Sequence, residues 1–417
     1  MTNQLNHKKF LFVKYNVSLQ IMHFTSLIIL ITGFICPLSG QDVEWQKYGY
    51  VKYLFSIADN KQISDKNLTD HIVHIRLNNR LYFQNYFSAA LEIRMRAFSG
   101  SSVQKDLYSP ATTVTSYPYT DLDAVFWENP DNFAYGQIDR LFLDYSRDNW
   151  QITLGRQRIA WGTSLVWNVT DLFNPQSILD FDYEEKPGSD ALRIQYFTDV
   201  IGRIEFVYKP AADKIDQSLA LLYLFNNWDY DFYFIAALHQ NKALAGAAFA
   251  GDIEGAGFRG EIKATGKPGR EQLKGTLLPQ PFKNFSEVNA PNINAVLSLD
   301  YTFPSSLYLH GEILYNSIGK TKNSLLYMEQ ASQIGMLSPA LTSLFFETAY
   351  DIHPLVRGDI FALINPNEKS VIYAPSVSWS VITNLDVYLI GLLSSGANKS
   401  EYSYWGKAFF LRTKYSF

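Results

Sequence analysis

The stretch "YWGKAFFLRTKYSF", residues 404–417, decides the fold. Every second residue from Phe409 to Phe417 is mostly apolar or aromatic, whereas the residues between them are mostly polar or basic. Successive side chains of a β-strand point to opposite faces of the sheet. The alternation therefore predicts a strand with one apolar face and one polar face, ending on an aromatic residue.

The composition of the whole chain extends this prediction. Aromatic residues make up 15% of the 417 residues and charged residues only 18%, yet no long apolar run follows residue 40. A membrane barrel distributes its apolar residues in alternation, because only one face of each strand meets lipid. The aromatic end of the final strand also resembles the terminal strand of bacterial outer-membrane barrels. Since lipid forbids open sheet edges, we expect an all-β protein, a closed antiparallel transmembrane β-barrel in the bacterial outer membrane of a Gram-negative cell.

The first forty residues have the pattern of a secretory signal peptide. Several lysines precede the apolar run "FTSLIILITGFICPLSG", which is short for a membrane span and ends in small residues. We expect residues 1–40 to be removed, leaving a single barrel domain at 41–417. A retained anchor and a lipoprotein signal at Cys36 are the alternatives. Cys36 is the only cysteine, so the mature chain is expected to have no thiol chemistry.

Link lengths give the strand count. Eighteen candidate strands lie between residues 47 and 417, and short links alternate with links that include long ones at 99–134, 161–188, 266–290 and 318–342. Outer-membrane barrels have short periplasmic turns and long outer loops. The pattern predicts about 18 strands, with 16 as the alternative because the candidates within 217–265 are the weakest.

Alternation also assigns charged side chains to the lumen. An arginine or lysine on the lipid face near the midplane costs about 2–4 kcal/mol, so the charged face of each strand must point inward. On this assignment bases outnumber acids inside, and a basic conduit attracts anions. An arginine–carboxylate network that braces the wall is the alternative. The expected selectivity residues are Arg76, Arg80, Arg94, Arg96, Arg203, Arg259, Glu92, Glu205 and Glu261.

The stretch "GRQRIAWGTSLVWNVTDLFNP", residues 155–175, begins like a strand and ends like a loop. Exposing so many large apolar side chains to water would be unfavourable in an outer loop. We expect the loop at 155–188 to fold inward and narrow the pore. The acidic run "DFDYEEKPG", residues 180–188, suits either a calcium site or a salt-bridged loop, and the second explanation is simpler. The expected constriction residues are Arg156, Arg158, Trp161, Trp167, Asp171 and Phe173.

Several segments resemble the uncharacterised barrels near the alginate-export porins. They are "LNNRLYFQNYFSAALEIRMRAFSG", "LGRQRIAWGTSLVWNVTDLFNP", "EEKPGSDALRIQYF", "GDIEGAGFRGEIKA" and "SSGANKSEYSYWGKAFFLRTKYSF". The resemblance implies a monomeric barrel of about this size that passes polar or anionic solutes through an arginine-rich lumen.

The sequence thus favours a porin-like channel for diffusion of small polar solutes, with a preference for anions. The alternatives are a plugged barrel that binds surface glycan or a partner protein, and a barrel for uptake of hydrophobic compounds. No GxSxG, HExxH or phosphate-binding loop is present, so we expect no enzyme activity, no metal and no cofactor. The net charge of −4 argues against nucleic acid. Membrane lipid and lipopolysaccharide are the expected surroundings.

Overall fold

The computed structural model describes residues 43–61, 63–83, 85–109, 119–173, 179, 182, 185–269, 273, 284–285 and 290–417. The predicted signal peptide lies outside these residues. Within the described parts, almost all regular structure is β. The α-helices are Ser101–Gln104 and Met328–Gln333, the 3-10 helices are Lys214–Asp216 and Ser324–Tyr327, and none of them is long and apolar enough to cross a membrane.

The described residues form one sheet of 19 antiparallel strands, of which 18 make up a closed barrel wall. This confirms the predicted fold and the higher of the two strand counts. The strands are β1 (Val43–Asp59), β2 (Leu68–Phe83), β3 (Phe87–Gly100), β4 (Asp123–Glu128), β5 (Asn132–Arg147), β6 (Trp150–Gln157), β7 (Ser189–Phe197), β8 (Arg203–Lys209), β9 (Ser218–Asn227), β10 (Tyr230–His239), β11 (Lys242–Ile253), β12 (Ala256–Thr265), β13 (Asn292–Thr302), β14 (Tyr308–Asn316), β15 (Thr342–His353), β16 (Val356–Asn365), β17 (Ser370–Ile382), β18 (Leu385–Ser395) and β19 (Lys407–Ser416).

The first and last strands close the wall. Val51 on β1 is paired with Ile75 on β2 and with Tyr415 on β19, so β1 has a partner on both sides. The strand predicted from residues 404–417 is therefore the one that completes the barrel. Closure satisfies the backbone hydrogen bonds that an open edge would leave exposed to lipid.

The nineteenth strand, β4, was not predicted. One lateral edge of β5 pairs with β6 from Leu141 to Arg147. Because β6 ends at Gln157, it leaves the rest of this edge without a partner. There β4 takes over, with Ala124 opposite Gly136. A strand edge without a partner is costly in a membrane protein, and β4 covers it near the long-loop end of the barrel.

The two faces of the wall have opposite chemistry. Leu143 and Leu154, neighbours on β5 and β6, are 63% and 59% exposed on the outer face. On β2 the alternation leaves Val73 exposed and buries His74 and Arg76 on the inner side. An apolar outer face and a polar inner face are what a barrel in a bilayer requires, and the face assignment made from the sequence is confirmed on these strands.

Candidate channel interior

The arginines of β2 and β3 lie on the inner wall among carboxylates. Arg76 donates to Asp139 Oδ2 at 2.6 Å and to Glu92 Oε2 at 2.5 Å, and it is fully buried. Arg80 donates to the other oxygen of Glu92 at 3.1 Å, but 41% of its side chain is exposed. Arg80 can therefore meet solvent inside the barrel, whereas Arg76 braces the wall.

Two more predicted arginines of this wall are also engaged. Arg94 donates to the side-chain oxygen of Gln137. Arg96 forms an ion pair of 2.7 Å with Asp182, a residue of the long link after β6, and donates to Tyr135 at 3.2 Å. The wall at β2, β3 and β5 thus consists of interlocked cations and acceptors.

On the next part of the wall, Glu205 gathers several donors. Arg193 donates to both of its oxygens at 2.7 and 2.8 Å, and Arg203 to one of them at 3.3 Å. Trp161, from the link after β6, donates its indole N–H to Glu205 at 2.7 Å. Further along, the predicted Arg259 forms an ion pair with Asp300.

The chain leaves the wall at the end of β6. Gly155 has a φ of +119°, and a Cβ at this position would lie 2.2 Å from the Leu141 carbonyl oxygen, so only glycine fits. Arg156 is buried, pairs with Asp190 at 2.7 Å, and donates to the backbone of Ile138 and Thr120. This arginine fixes the exit of the chain and is not available to a solute.

Two buried carboxylates hold the residues that follow, 158–173, which we call the inner segment. Glu261 on β12 accepts the backbone N–H groups of Thr163, Ser164 and Thr170 at 2.6, 2.7 and 2.9 Å. The Thr170 hydroxyl also donates to Glu261, at 2.8 Å. Hydrogen bonds to a charged group contribute about 1.5–3 kcal/mol each, so this single side chain strongly favours the observed conformation.

Glu312 on β14 accepts backbone hydrogen bonds from the next residues in the same way. Its carboxylate accepts the N–H groups of Leu165, Val166 and Trp167 at 2.8, 3.0 and 3.0 Å. The sequence assigned Glu261 to the lumen, but nothing in strand parity indicated that either carboxylate would bind backbone amides. The nearest signal is the irregular, turn-rich stretch at 162–171, whose amides need acceptors when buried.

Apolar contacts complete the docking of the inner segment. Trp161 is 1% exposed and packs edge-to-face on Phe173, with ring centroids 5.1 Å apart. Both join a cluster that includes Leu222 and Ile235 of β9 and β10. Trp167 joins a second cluster, with Phe345 of β15. The inner segment therefore shares buried apolar clusters with side chains of β7 to β11 and of β13 to β18.

The same link reaches the opposite side of the barrel. Asp182 contacts His74 and Arg96, and Glu185 accepts a hydrogen bond of 2.9 Å from the Tyr50 hydroxyl on β1. Lys186 pairs with Asp171 of the inner segment at 2.7 Å. These described residues of the acidic run make the contacts expected of a salt-bridged loop, and the carbonyl of Asp182 also accepts from Lys52.

Arg158 differs from its neighbour Arg156. It is exposed, and within the described parts of the chain no acceptor lies at hydrogen-bond or ion-pair distance from its guanidinium. Its charge acts on Asp171 through a longer-range electrostatic interaction. Of the six residues predicted for the constriction, Trp161, Trp167, Asp171 and Phe173 are buried with Arg156, and Arg158 alone presents a free charge.

Buried charges of the two signs are closely balanced. Among the described residues, eight lysines and arginines and ten carboxylates are buried. Half-buried bases of the predicted lumen set, such as Arg80, Arg203 and Arg259, are outside this count, so the excess of base expected from strand parity stays a prediction. Asp171 and Asp182 bring buried acid from a link, where parity assigns no face, and Asp190 adds a buried carboxylate at the start of β7.

A separate carboxylate lies among the loops at the long-loop end. Glu401 is 2% exposed and accepts hydrogen bonds from Ser338 at 2.8 Å and Asn365 at 3.0 Å. Glu368 lies beside it and accepts the backbone N–H of Glu401 at 2.9 Å. Burial, and then the charge of Glu368, raise the pKa of Glu401 to about 7.

This shift predicts a pH dependence of stability. Because the pKa of Glu401 is about 7 in the folded protein against an ordinary 4.5, the folded state holds the proton more tightly, and stability is lost as the pH rises from about 4.5 to about 7. Glu401→Gln should remove this component. We expect the melting temperature to fall between pH 5 and pH 8 by a larger amount in the wild type than in the variant. Equal falls would contradict the assignment.

Comparisons with known proteins agree with this geometry. No protein-family model matches the chain, and no curated protein matches it. Solved structures do: OprD, an outer membrane protein from Pseudomonas aeruginosa, is 8% identical with a TM-score of 0.55, covering 89% of this chain and 94% of that one. OccAB1 from Acinetobacter baumannii is 9% identical with a TM-score of 0.56, covering 89% and 96%. OccD3 (OpdP) from P. aeruginosa is 9% identical with a TM-score of 0.55, covering 91% and 92%.

The barrel closure, the apolar outer face and these likenesses define the class of the fold. The chain has the fold of the outer-membrane porin barrels. Among those compared, it is similar to OprD and the Occ proteins over nearly the full length of both chains. At 8–9% identity the likeness concerns the fold alone.

Proposed function

We propose that this chain is a porin-like channel through which small polar solutes, with a preference for anions, diffuse across a bacterial outer membrane. The observation that carries the proposal is the link after β6. It makes contacts at β12 and β14 through Glu261 and Glu312, and at β1 to β3 through Asp182 and Glu185. In an 18-stranded barrel these strands lie on opposite sides, and contacts with both sides support a link that crosses the interior.

A crossing link divides the interior and sets its width. The inner segment fills the apolar side at β7 to β11, where Trp161 and Phe173 pack on the wall. On the arginine-bearing wall of β2 and β3, Arg80 is half-exposed, and we expect the open path to run beside it. On this proposal a solute meets partly exposed positive charge at Arg80 and exposed positive charge at Arg158, whereas Glu261 and Glu312 are covered by backbone N–H groups.

Flux measurements test the proposal. Purified barrel reconstituted in liposomes should admit gluconate faster than arabinose, a neutral solute of similar size, and arabinose faster than lysine. Liposomes with folded barrel that admit none of the three, or that admit lysine fastest, would contradict it.

Similarity to the alginate-export group is a narrower hypothesis, to which the solved structures compared above give no support. Competition of gluconate flux by short alginate oligomers would test it.

Arg158 provides a sharper test of the anion preference. Two unit charges about 4 Å apart in water interact by about 1 kcal/mol, which corresponds to a factor of about five. Arg158→Glu should therefore lower the anion-to-cation permeability ratio about fivefold or more. Lys61→Glu, at an exposed position in the β1–β2 loop, makes the same charge change away from the link and should leave the ratio nearly unchanged. Equal effects of the two variants would remove Arg158 from the conduction path.

A plugged barrel is the second candidate, and the two apolar clusters favour it because they show how much of the interior the inner segment occupies. A plugged barrel would serve as a surface-glycan or partner-protein binding component. It predicts no flux of any solute, together with retention of the folded protein on immobilised surface glycan.

A further inference from the structure

Four cationic or potentially cationic side chains form a compact group on β1, β2 and β3. They are Lys52, His74, Arg76 and Arg96, which we call the basic wall cluster. All four are buried. Burial of several cations together is costly unless anions accompany them, so the origin of the accompanying anions matters.

Part of the anionic charge comes from the wall itself. Arg76 is neutralised by Glu92 and Asp139, which lie on β3 and β5. These are neighbouring strands of the same sheet, so their separation is fixed by the ladder. This part of the network is permanent while the barrel is folded.

The rest comes from the link that crosses the interior. Asp182 is 4% exposed, with one oxygen 2.7 Å from Arg96 and the other 3.3 Å from His74. Lys52 donates to its backbone carbonyl. Burial alone would raise the pKa of Asp182, but Arg96, His74 and Lys52 hold it well below its usual range. Glu185 adds a second carboxylate, 4.0 Å from Arg76 and hydrogen-bonded to Tyr50.

We propose that Asp182 and Glu185 act as a tethered internal anion, an electrostatic latch that occupies the basic wall cluster and that anions entering the lumen compete to displace. This rests on the proposed channel function and describes its regulation. A carboxylate on a link can leave its site without unfolding the wall, which the wall carboxylates Glu92 and Asp139 cannot do. When it leaves, Arg96 and Lys52 lose their contacts with Asp182, whereas Arg76 keeps Glu92 and Asp139.

The latch makes a quantitative prediction about anion binding. A tethered group has an effective concentration on the order of millimolar at its site, so a free anion in the wild type must overcome that competition. Asp182→Asn should therefore bind citrate about tenfold more tightly than the wild type, in calorimetric titrations of the full chain in detergent micelles at fixed ionic strength. Asp148→Asn, an exposed turn aspartate, is the matched control and should bind as the wild type does.

A double variant identifies the site. Adding Arg96→Gln to Asp182→Asn should abolish the gain, because the freed cation is then absent. Citrate affinity that does not rise in Asp182→Asn, or a gain that persists in the double variant, would overturn the latch. If Asp182→Asn does not fold, as judged by the heat-dependent mobility of the barrel, Glu185→Gln should still tighten citrate binding two- to threefold. No change in that variant would count against the latch equally.

The titration separates this inference from the proposed function. It measures binding and does not depend on conduction. A folded barrel that passes no solute yet binds citrate more tightly in Asp182→Asn would overturn the channel and keep the latch. A conducting, anion-preferring barrel whose citrate binding is unchanged in Asp182→Asn would overturn the latch and keep the channel.

Discussion

Replacing Glu261 and Glu312 together with alanine should raise the single-channel conductance by roughly a factor of two or more. The two carboxylates accept six backbone N–H groups of the inner segment. A buried N–H left without an acceptor costs about 1–3 kcal/mol, and each 1.4 kcal/mol changes an equilibrium tenfold. The segment should therefore undock and widen the lumen, since the wall strands keep their own ladders.

Recordings from single channels in planar bilayers would measure this effect, with larger and noisier steps expected in the double variant. Glu128→Ala, which removes an exposed glutamate on β4, is the matched control and should leave the steps as in the wild type. Each single variant should give an intermediate result. A folded double variant with wild-type conductance would show that these carboxylates do not hold the element that limits flow.

Trp161→Ala should destabilise the barrel by about 3–5 kcal/mol, the usual cost of truncating a buried tryptophan. The ring lies against Phe173 and the inner wall, and its N–H satisfies part of Glu205. Removal of the indole ring leaves a cavity and also takes one hydrogen bond away from the charge network around Glu205. Denaturant unfolding of the reconstituted protein, followed by the heat-dependent mobility of the barrel, would provide the free energy of unfolding.

Trp161→Phe separates the two contributions. It keeps most of the apolar contact but loses the hydrogen bond to Glu205, which still accepts from Arg193. We therefore expect a loss of about 1.5–3 kcal/mol, the contribution of one hydrogen bond to a charged group. Equal stability of Trp161→Ala and the wild type would mean that the packing of the inner segment contributes nothing to the folded state.

The wall could be predicted from the sequence because lipid imposes alternation on it. The predicted strand at 230–239 coincides with Tyr230–His239, although it lies in the region where the count was least certain. The lumen assignment of Arg76, Arg94 and Glu92 followed from the same parity. Alternation with a period of two determines which face of the sheet a side chain points to, and this is sufficient to assign these three residues to the lumen.

The interior beyond the wall could not be predicted in this way. Asp139 and Arg140 are consecutive, yet both are buried, because the register shifts between Glu92 and Ile93 opposite them. Asp182 reaches the basic wall from a link whose length says nothing about its direction. Strand β4 is short, lies within a long link, and lacks the alternation that marked the others. Each of these features depends on tertiary contacts between segments far apart in sequence.

The current through single reconstituted barrels, recorded under a potassium chloride gradient, tests the central claim most directly. We expect discrete conductance steps and a reversal potential with the sign of chloride preference, because Arg80 and Arg158 present partly exposed and exposed cationic side chains. Folded barrels that insert but give no steps, or whose reversal potential has the sign of potassium preference, would contradict it.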